Sequence, residues 1–298
     1  MALRSQTDVL VIGEALIDIV AAADGATEHV GGSPANVALG LGRLGVDVAL
    51  LTRIGADERG ARIAARLGDS GVHILPEAVV PAATSTATAR IGTDGSATYA
   101  FDIDWSLPEA VAPTAKVVHT GSIAAFLEPG AASVLAILRT CDAAEITFDP
   151  NIRPALVGDR ATAFARFQEI AAASTVVKMS DEDAGWLFPD VPVDEVAKRV
   201  LALGPRMVAV TLGADGALLA TAEHVVRIPP VRVDVVDTLG AGDTFMASLI
   251  RSLVNAGSRD LDEGAMESIG RAAAAAAAVT VSRAGADLPW ARELAARD

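Results

Sequence analysis

Cysteine and long apolar runs are the first features missing from this chain of 298 residues. Its single cysteine, Cys141, excludes an internal disulfide framework and a multi-cysteine metal site, and it fits a reducing compartment. The most alanine-rich stretch, residues 272–281, has only about half the length that a membrane span needs. The first residues have no basic start followed by a cleavable apolar core. We therefore expect a cytoplasmic protein that makes no membrane contact.

Positive charge is also scarce. The chain has 24 Lys and Arg residues against 38 Asp and Glu residues, so its formal net charge is −14. This balance excludes a protein whose main task is to neutralise nucleic-acid phosphates or anionic lipids. Its only lysines are Lys116, Lys178 and Lys198. We expect no nucleic-acid partner, and any bound phosphate must be held by a local arrangement of residues.

Short apolar runs of strand length alternate with alanine-rich amphipathic segments of helix length. This alternation predicts an α/β fold with a central, mostly parallel sheet flanked by helices. Ser33 and Pro34 suit a helix N-cap and first turn, and the apolar spacing after them predicts a helix that ends at Leu44 before Gly45. The predicted strands are residues 9–13, 46–52, 117–120, 145–148, 176–179 and 207–211.

One segment, residues 84–104, departs from this alternation. Its threonines and aromatic residues alternate on either side of a glycine-containing stretch at 92–95, which predicts a β-hairpin. Together with residues 19–30 it is expected to form a small sheet within a single domain that spans residues 1–298. Such an excursion from an α/β body is typical of a lid that excludes water from a site, and a plain surface hairpin is the alternative.

The most informative local pattern is a glycine-rich loop at the start of a predicted helix: Asp237, Thr238, Leu239, Gly240, Ala241, Gly242 and Asp243. Small residues let backbone N–H groups approach an anion, and the helix dipole adds partial positive charge at the same point. The loop is therefore suited to hold charge on a phosphoryl group. Asp243 beside it could accept a proton from an attacking hydroxyl, or it could serve only as a helix N-cap.

Two well-known phosphate-binding patterns are missing. The chain has no Gly-x-x-x-x-Gly-Lys-Ser/Thr motif, and no Gly-x-Gly-x-x-Gly motif follows the first strand. These absences argue against a P-loop enzyme and against a dinucleotide-dependent oxidoreductase.

Two motifs carry a resemblance to a known family. Residues 237–243 resemble the Asp-Thr-x-Gly-Ala-Gly-Asp signature of the ribokinase-like, or PfkB, carbohydrate kinases, and residues 31–38 resemble the family's N-terminal glycine-glycine-x-x-x-asparagine signature. The resemblance covers nearly the whole chain and implies the ribokinase-like fold. Within the family, residues 13–18, 121–122, 148–154 and 178–183 are similar to fructokinase segments.

The resemblance also implies roles for particular residues. Asp243 would take the proton from the sugar hydroxyl, while the backbone of Gly240, Ala241 and Gly242 would stabilise charge on the transferring phosphoryl group. Arg153 follows a predicted strand, where its guanidinium could clamp phosphate oxygens or form a surface ion pair.

The sugar would meet carboxylate, amide and backbone groups, which suit hydroxyl recognition. The residues expected to contact it are Asp18, Gly31, Gly32 and Asn36, with Tyr99, Phe101 and Arg90 added from the lid.

The implied cofactors are ATP and Mg²⁺. The residues expected near them are Lys178, Ser180, Asp183, Thr211, Gly213 and Gly216. Ser180 and Asp183 stand where many members of the family carry asparagine and glutamate, so the carboxylate among residues 181–183 that orders Mg²⁺, through water, stays open. Asp237, Thr238 and Gly285 resemble segments that hold a monovalent cation, such as K⁺, in many members.

These observations predict an ATP-dependent sugar kinase, with fructokinase as the first choice and phosphorylation at the 6-hydroxyl of D-fructose. A 2-keto-3-deoxygluconate kinase or a ribokinase is the alternative within the family. A catalytically inactive member that acts as a binding or regulatory subunit is the alternative of another class. By resemblance we also expect a homodimer formed through the lid.

Overall fold

Buried apolar runs form the strands of a large central sheet, as the sequence predicts. The computed structural model describes residues 6–22, 25–91, 97–107 and 113–295. Within residues 9–12 of the first strand, every side chain is buried. A continuous apolar run of this kind is typical of a strand that helices cover on both faces.

Strands and helices alternate over most of the chain. The strands are β1 (Gln6–Ile12), β2 (Leu16–Ala22), β3 (Gly25–Gly31), β4 (Val48–Leu51), β5 (Ile54–Gly55), β6 (Val72–Ile74), β7 (Val79–Val80), β8 (Thr86–Ile91), β9 (Ala97–Asp102), β10 (Thr114–Gly121), β11 (Glu145–Asp149), β12 (Val176–Ser180), β13 (Met207–Thr211), β14 (Ala217–Ala220) and β15 (Val225–Ile228). The helices are α1 (Ser33–Arg43), α2 (Glu58–Asp69), α3 (Ile123–Phe126), α4 (Gly130–Thr140), α5 (Pro154–Val157), α6 (Arg160–Ala173), α7 (Asp181–Leu187), α8 (Val193–Leu201), α9 (Ala241–Ala256), α10 (Glu263–Val281) and α11 (Ala291–Leu294).

The large sheet has the strand order β15-β14-β13-β12-β11-β10-β1-β4-β6. Neighbouring strands from β6 to β13 are parallel, and β14 and β15 add an antiparallel edge. The strand order reverses between β1 and β10, because the chain first builds outward to β6 and then returns to build the other half. In open α/β sheets, ligands bind beyond the carboxyl ends of the strands at such a switch point.

The apolar core lies in two layers, one on each face of the large sheet. Val9 and Val11 of β1 face the layer that contains residues of α1, α9 and α10, whereas Leu10 and Ile12 face the layer of α4 and α6. This division follows from the alternation of side chains along a strand. Each fully buried side chain of this size contributes about 1.5–3 kcal/mol, so the helices that position the site are firmly held.

A second, small sheet has the order β3-β2-β8-β9. Strands β8 and β9 pair antiparallel, which confirms the predicted hairpin, and β2 joins them in parallel to β8. Residues 92–95 of the predicted turn, and residues 23–24 of the predicted 19–30 segment, lie outside the described residues. One face of the small sheet carries fully buried Ile17, and Glu28 of β3 forms ion pairs with Arg59 and Arg62 of α2.

The predicted strands and the helix at 33–44 are confirmed, with ends that differ by up to three residues. One local prediction is wrong: Ser33 is not the N-cap of α1. The cap position is Gly32, which has no side chain to bond to the helix, and the Ser33 hydroxyl donates to Asp243 instead. In the part of the chain that the structure describes, no helix is both long and apolar enough to cross a membrane.

Candidate active site

Asp243 lies where the first turns of α1 and α9 meet. Helix α9 begins at Ala241, and Gly240 caps it in the left-handed conformation with φ of 78°. Asp243 is therefore the third residue of the helix, and the alternative that it serves only as an N-cap is wrong. Its side chain is 7% exposed. Ser33 Oγ donates to Oδ1 at 2.6 Å and Asn36 Nδ2 donates to Oδ2 at 2.8 Å, so α1 fixes both carboxylate oxygens.

The surroundings of Asp243 pull its protonation equilibrium in two directions. Burial raises the pKa of the Asp243 carboxyl above its ordinary value, while the bonds from Ser33 and Asn36 and the charges of Lys178 and Arg153 lower it. The result is a carboxyl group with a raised pKa whose ionised form still has two hydrogen-bond donors. Such a group suits a proton acceptor, because a more basic carboxylate takes a proton more readily.

The start of α9 faces a buried ammonium group. The first turn of a helix leaves its N–H groups without helical acceptors, which frees those of Gly242 and Asp243. The N–H of Ala241 is already used, since it donates to the Thr238 carbonyl at 3.2 Å. A Cβ on Gly242 would lie 3.0 Å from Lys178 Nζ. Two N–H groups, the positive end of the helix dipole and an ammonium group therefore lie close together, which is an arrangement that favours an anion.

Lys178 is held in this position by a second carboxylate. Its Nζ lies 2.8 Å from Asp149 Oδ2, and both side chains are almost completely buried. Burial lowers the pKa of Lys178, but the hydrogen bond to Asp149 and the negative charges of Asp149, Asp183 and Asp243 together outweigh it, and the net shift is upward. Lys178 therefore stays charged at the carboxyl end of β12. Asp149, which ends β11, received no role from the sequence.

The predicted sugar contacts Gly31 and Gly32 directly precede α1, whose Ser33 bonds Asp243. Asp18 of β2 lies against Gly31, where a Cβ would overlap its carboxylate. Gly32 has φ of +100°, and a Cβ there would lie 2.5 Å from the Glu14 carbonyl oxygen. Burial raises the pKa of Asp18, Arg153 and His29 lower it, and Asp243 raises it. The charges of Asp18, Arg153 and Asp243 thus act on one another's protonation.

Arg153 is exposed at the start of α5, in the loop that follows β11. Its Nη1 donates to the Ile152 carbonyl at 3.1 Å, and its charge lowers the pKa of both Asp18 and Asp243. No carboxylate lies within ion-pair distance of it among the residues described. The predicted surface ion pair is therefore absent there.

The three predicted lid contacts separate onto two faces of the small sheet. Asp18 pairs with Ala87, and Ala87 pairs with Phe101, so these three side chains share a face, and Tyr99 lies two residues along on that face. Arg90 has the opposite parity in β8 and is exposed. The structure therefore places Arg90 on the face opposite Asp18, and its contact with a sugar stays a prediction.

The predicted nucleotide residues lie along the same edge, beyond β12 and β13. Thr211 ends β13, and the turn after it closes with the Leu212 N–H donating to the Gly216 carbonyl at 2.8 Å; Gly213 begins the 3₁₀ helix of this turn. This turn lies beside the carboxyl end of the strand that carries Lys178.

Ser180 and Asp183 form a capping box at the start of α7. Ser180 Oγ accepts from the Asp183 N–H at 3.0 Å, and Asp183 Oδ2 accepts from the Ser180 N–H at 2.9 Å. Asp183 Oδ1 also accepts from the Ile152 N–H at 2.7 Å. Asp183 therefore ties α7 to the loop that carries Arg153, and its contact with a cofactor stays a prediction.

Asp237 joins two loops beside the start of α9. Its carboxylate accepts from the Leu239 N–H and from the Gly285 N–H, each at 2.9 Å, and these bonds lower its pKa. Thr238 contributes its carbonyl oxygen to the bond with Ala241. Over the described ranges, no group of three His, Cys, Asp or Glu side chains is placed to hold a metal ion. A Mg²⁺ ion would fit here only through single carboxylates, water and phosphate oxygens, which is its usual manner of binding.

A match to a family model shows to which family of proteins this chain belongs. The model for the pfkB family of carbohydrate kinases matches residues 6–292. The chain belongs to this family. Its members are phosphotransferases that act on sugar hydroxyl groups, so the pfkB chain is an enzyme of that class.

Similar proteins agree with this assignment. A fructokinase from Rhizobium leguminosarum bv. trifolii is 35% identical over 260 residues, which cover 82% of this chain and 79% of that protein. A fructokinase variant from Vibrio cholerae O395, solved with fructose, ADP and potassium ion, has a TM-score of 0.83 at 25% identity and is matched over 99% of both chains. A fructokinase from Xylella fastidiosa with bound ATP shares the fold, with a TM-score of 0.83 at 24% identity over 99% of this chain and 98% of that one.

Sequence reasoning missed three residues of this pfkB site. Ser33 was assigned to a helix cap but donates to Asp243. Asp149 holds Lys178, and its place directly after a buried strand at the ligand-binding edge was a usable signal. Glu14 also follows a strand at this edge, and its carboxyl group is buried.

Proposed function

We propose that the protein is an ATP-dependent fructokinase that phosphorylates the 6-hydroxyl of D-fructose. The observation that carries the proposal is the position of Asp243, held by Ser33 and Asn36 at the mouth of the anion-binding start of α9. The similarity to fructokinases from three bacteria supports the choice of sugar.

Asp243 is the proton acceptor in this proposal. Ser33 and Asn36 keep its oxygens in place, so no side-chain rearrangement is needed when a hydroxyl arrives. Asp18 and the backbone at Gly31 and Gly32 hold the other hydroxyls of the sugar, and this contact orients the reacting oxygen. Deprotonation then occurs beside the anion-binding space rather than in bulk water.

The phosphoryl side uses Lys178 and the backbone of α9. When bound, ATP with Mg²⁺ supplies the phosphoryl group and part of the neutralising charge. The N–H groups of Gly242 and Asp243 and the Lys178 ammonium stabilise negative charge at the transferred group, and Arg153 does so from the other side. The turn from Thr211 to Gly216 would receive the nucleotide, because it lies beside Lys178 at the same edge.

A monovalent cation such as K⁺ would lie at the Asp237, Thr238 and Gly285 loops. The bonds from Asp237 to Leu239 and Gly285 bring those loops together beside the start of α9. The Vibrio relative was solved with potassium ion, which supports this assignment.

The protein would act as a cytoplasmic homodimer joined through the small sheet. Val20, Tyr99 and Phe101 expose apolar surface there, and the last two rings stack at a centroid distance of 6.3 Å. A contiguous exposed apolar face of this kind is typical of an interaction surface. The single cysteine fits a reducing compartment.

The test is an assay of ADP release with MgATP, in the presence and absence of K⁺. The acceptors are D-fructose, D-ribose, 2-keto-3-deoxygluconate, fructose 6-phosphate and adenosine. We expect D-fructose to give the highest kcat/KM. The variant Asp243→Asn should lose about 10²- to 10⁴-fold in kcat, as expected for loss of a general base, while its thermal midpoint stays close to that of the wild type.

Two results would contradict the proposal. If another sugar is turned over faster, that sugar replaces fructose as the proposed substrate, and the proposed role of Asp243 is unchanged. An Asp243→Asn variant that is folded and fully active would remove Asp243 from the reaction. The variant Asp234→Asn is the matched control, because Asp234 is an exposed carboxylate in the segment before α9 and lies outside the proposed proton path and cation site.

A further inference from the structure

One buried carboxyl group at this edge has no part in the reaction described above. Glu14 directly follows β1, opposite the end of β10, where the strand order reverses. It is only 3% exposed. Its Oε2 accepts from the Ala124 N–H at 3.0 Å, whereas Oε1 is buried and has no hydrogen-bond partner among the described residues. A buried polar atom without a partner is rare and calls for a physical reason.

The chain around Glu14 is wedged between two elements of the site. A Cβ on Gly13 would overlap Pro34 in the first turn of α1 and would touch Ala124 at 3.4 Å. Gly32, which caps α1, also lies against the Glu14 carbonyl oxygen. The end of β1 therefore sets the distance between the start of α1 and the turn at residues 121–124.

The turn at 121–124 is itself hydrogen-bonded to the proposed phosphoryl side of the site. Ser122 has φ of +55°, and its N–H donates to the Asp149 carbonyl at 3.0 Å. The side chain of the same Asp149 holds Lys178. Since α1 carries Ser33 and Asn36, the bond from Glu14 to Ala124 joins the half of the site that fixes Asp243 to the half that fixes Lys178.

We propose that Glu14 is a positioning residue that locks the turn at 121–124 against the start of α1, and that it does so as a neutral acid beside Asp243. The proposal rests on the proposed kinase function for its kinetic readout only. A neutral carboxyl group keeps its acceptor bond to Ala124 without adding a second negative charge within reach of the Asp243 charge. It leaves at most a buried neutral oxygen or hydroxyl at Oε1, whereas an ionised group would leave a buried charge there. The buried charge costs far more, so the junction would have to loosen to admit water.

The protonation of Glu14 supports this assignment. The net pKa of Glu14 is raised to about 7: burial is the largest cause and the charge of Asp243 adds to it, while the Glu14 backbone, the Ser122 side chain and the Ala124 N–H act in the opposite direction. Asp243 from α9 is the charged group that acts on it. The turn at 121–124 and the first turn of α1 from Ser33 to Asn36 bring only neutral side chains. The neutral form is therefore lost as the pH rises through about 7.

The test compares Glu14→Gln, Glu14→Ala and the wild type. Glutamine is neutral at every pH and keeps an acceptor oxygen for Ala124, whereas alanine loses the bond. We expect Glu14→Gln to have kcat and sugar KM within about threefold of the wild type at pH 6.5, and a sugar KM that stays flat to pH 8.5. The wild-type KM should rise several-fold over that range, and Glu14→Ala should raise KM about tenfold at every pH, with a smaller change in kcat.

Amide hydrogen exchange gives a readout that needs no substrate. The peptide that contains residues 121–126 should lose protection in Glu14→Ala and keep it in Glu14→Gln. If the wild type fails to phosphorylate fructose, this measurement still tests the positioning role, and the two failures remain distinguishable. Thermal unfolding in the same buffers separates local loosening from global destabilisation.

Three outcomes would overturn the proposal. In the first, Glu14→Gln is as impaired as Glu14→Ala at pH 6.5. In the second, Glu14→Ala lowers only the thermal midpoint and leaves KM and exchange unchanged. In the third, the KM of wild type and Glu14→Gln shows the same dependence on pH.

Discussion

The large and small sheets meet at the site but are built differently. The carboxyl edge of the large sheet presents buried, paired charges, of which Lys178 with Asp149 is the clearest case. The small sheet presents Asp18 from a face whose outer part is exposed, with Tyr99 65% and Phe101 37% exposed. In the proposed function, the fixed charges would lie beside the phosphoryl group and the more exposed surface beside the sugar, where preorganised charge and orientation of the acceptor are needed, respectively.

The largest effect should come from the large sheet. In Lys178→Met we expect kcat to fall about 10²- to 10³-fold, as when one preorganised donor is removed from a developing charge, with a smaller change in sugar KM. Steady-state kinetics with saturating fructose would measure this split.

Folding must be separated from chemistry in that variant, because it leaves Asp149 buried without its partner. Loss of one member of a buried pair costs about 3–5 kcal/mol. The double variant Lys178→Met with Asp149→Asn removes both charges and should recover most of the stability in urea unfolding while kcat stays low. Recovery of kcat together with stability would assign Lys178 to the fold alone.

An intermediate effect is expected from the small sheet. Asp18→Asn replaces a charged acceptor by a neutral one, so sugar KM should rise about 10- to 100-fold with kcat within about threefold of the wild type. Arg90→Gln is the matched control, because Arg90 lies in the same sheet on the opposite face. Equal KM changes in the two variants would contradict the assignment of faces.

The smallest kinetic effect should come from the outer part of the same face. Tyr99→Glu places a charge in the exposed apolar surface, which should weaken the proposed dimer and shift the sedimentation coefficient toward a monomer. We expect kcat to stay within about threefold. A wild-type protein that sediments as a monomer at all concentrations would remove the dimer from the proposal, and Arg90→Gln again serves as the control.

Motifs with local chemistry could be predicted well from the sequence. The glycine-rich start of α9 and the position of Lys178 near the carboxyl end of a buried strand were found because helix starts and strand ends are local features. Ser33 was misassigned because serine is a common helix cap and is also a hydrogen-bond donor. Its acceptor, Asp243, is 210 residues away in the chain, so no local pattern could show which of the two it does. The sequence could not tell on which face Arg90 lies, because its face depends on which strand pairs with β8 and in what register.

By itself, the sequence determined the α/β alternation, the strands of the large sheet, the glycine-rich start of α9 and the choice of Asp243 as the candidate base. These follow from periodicity and from short motifs. Only the tertiary structure decided that Ser33 and Asn36 hold Asp243, that Asp149 holds Lys178 and that Glu14 joins the two halves of the site. The physical reason is that burial and partnership set the charge and position of a polar group, and both arise from segments that are distant in the chain.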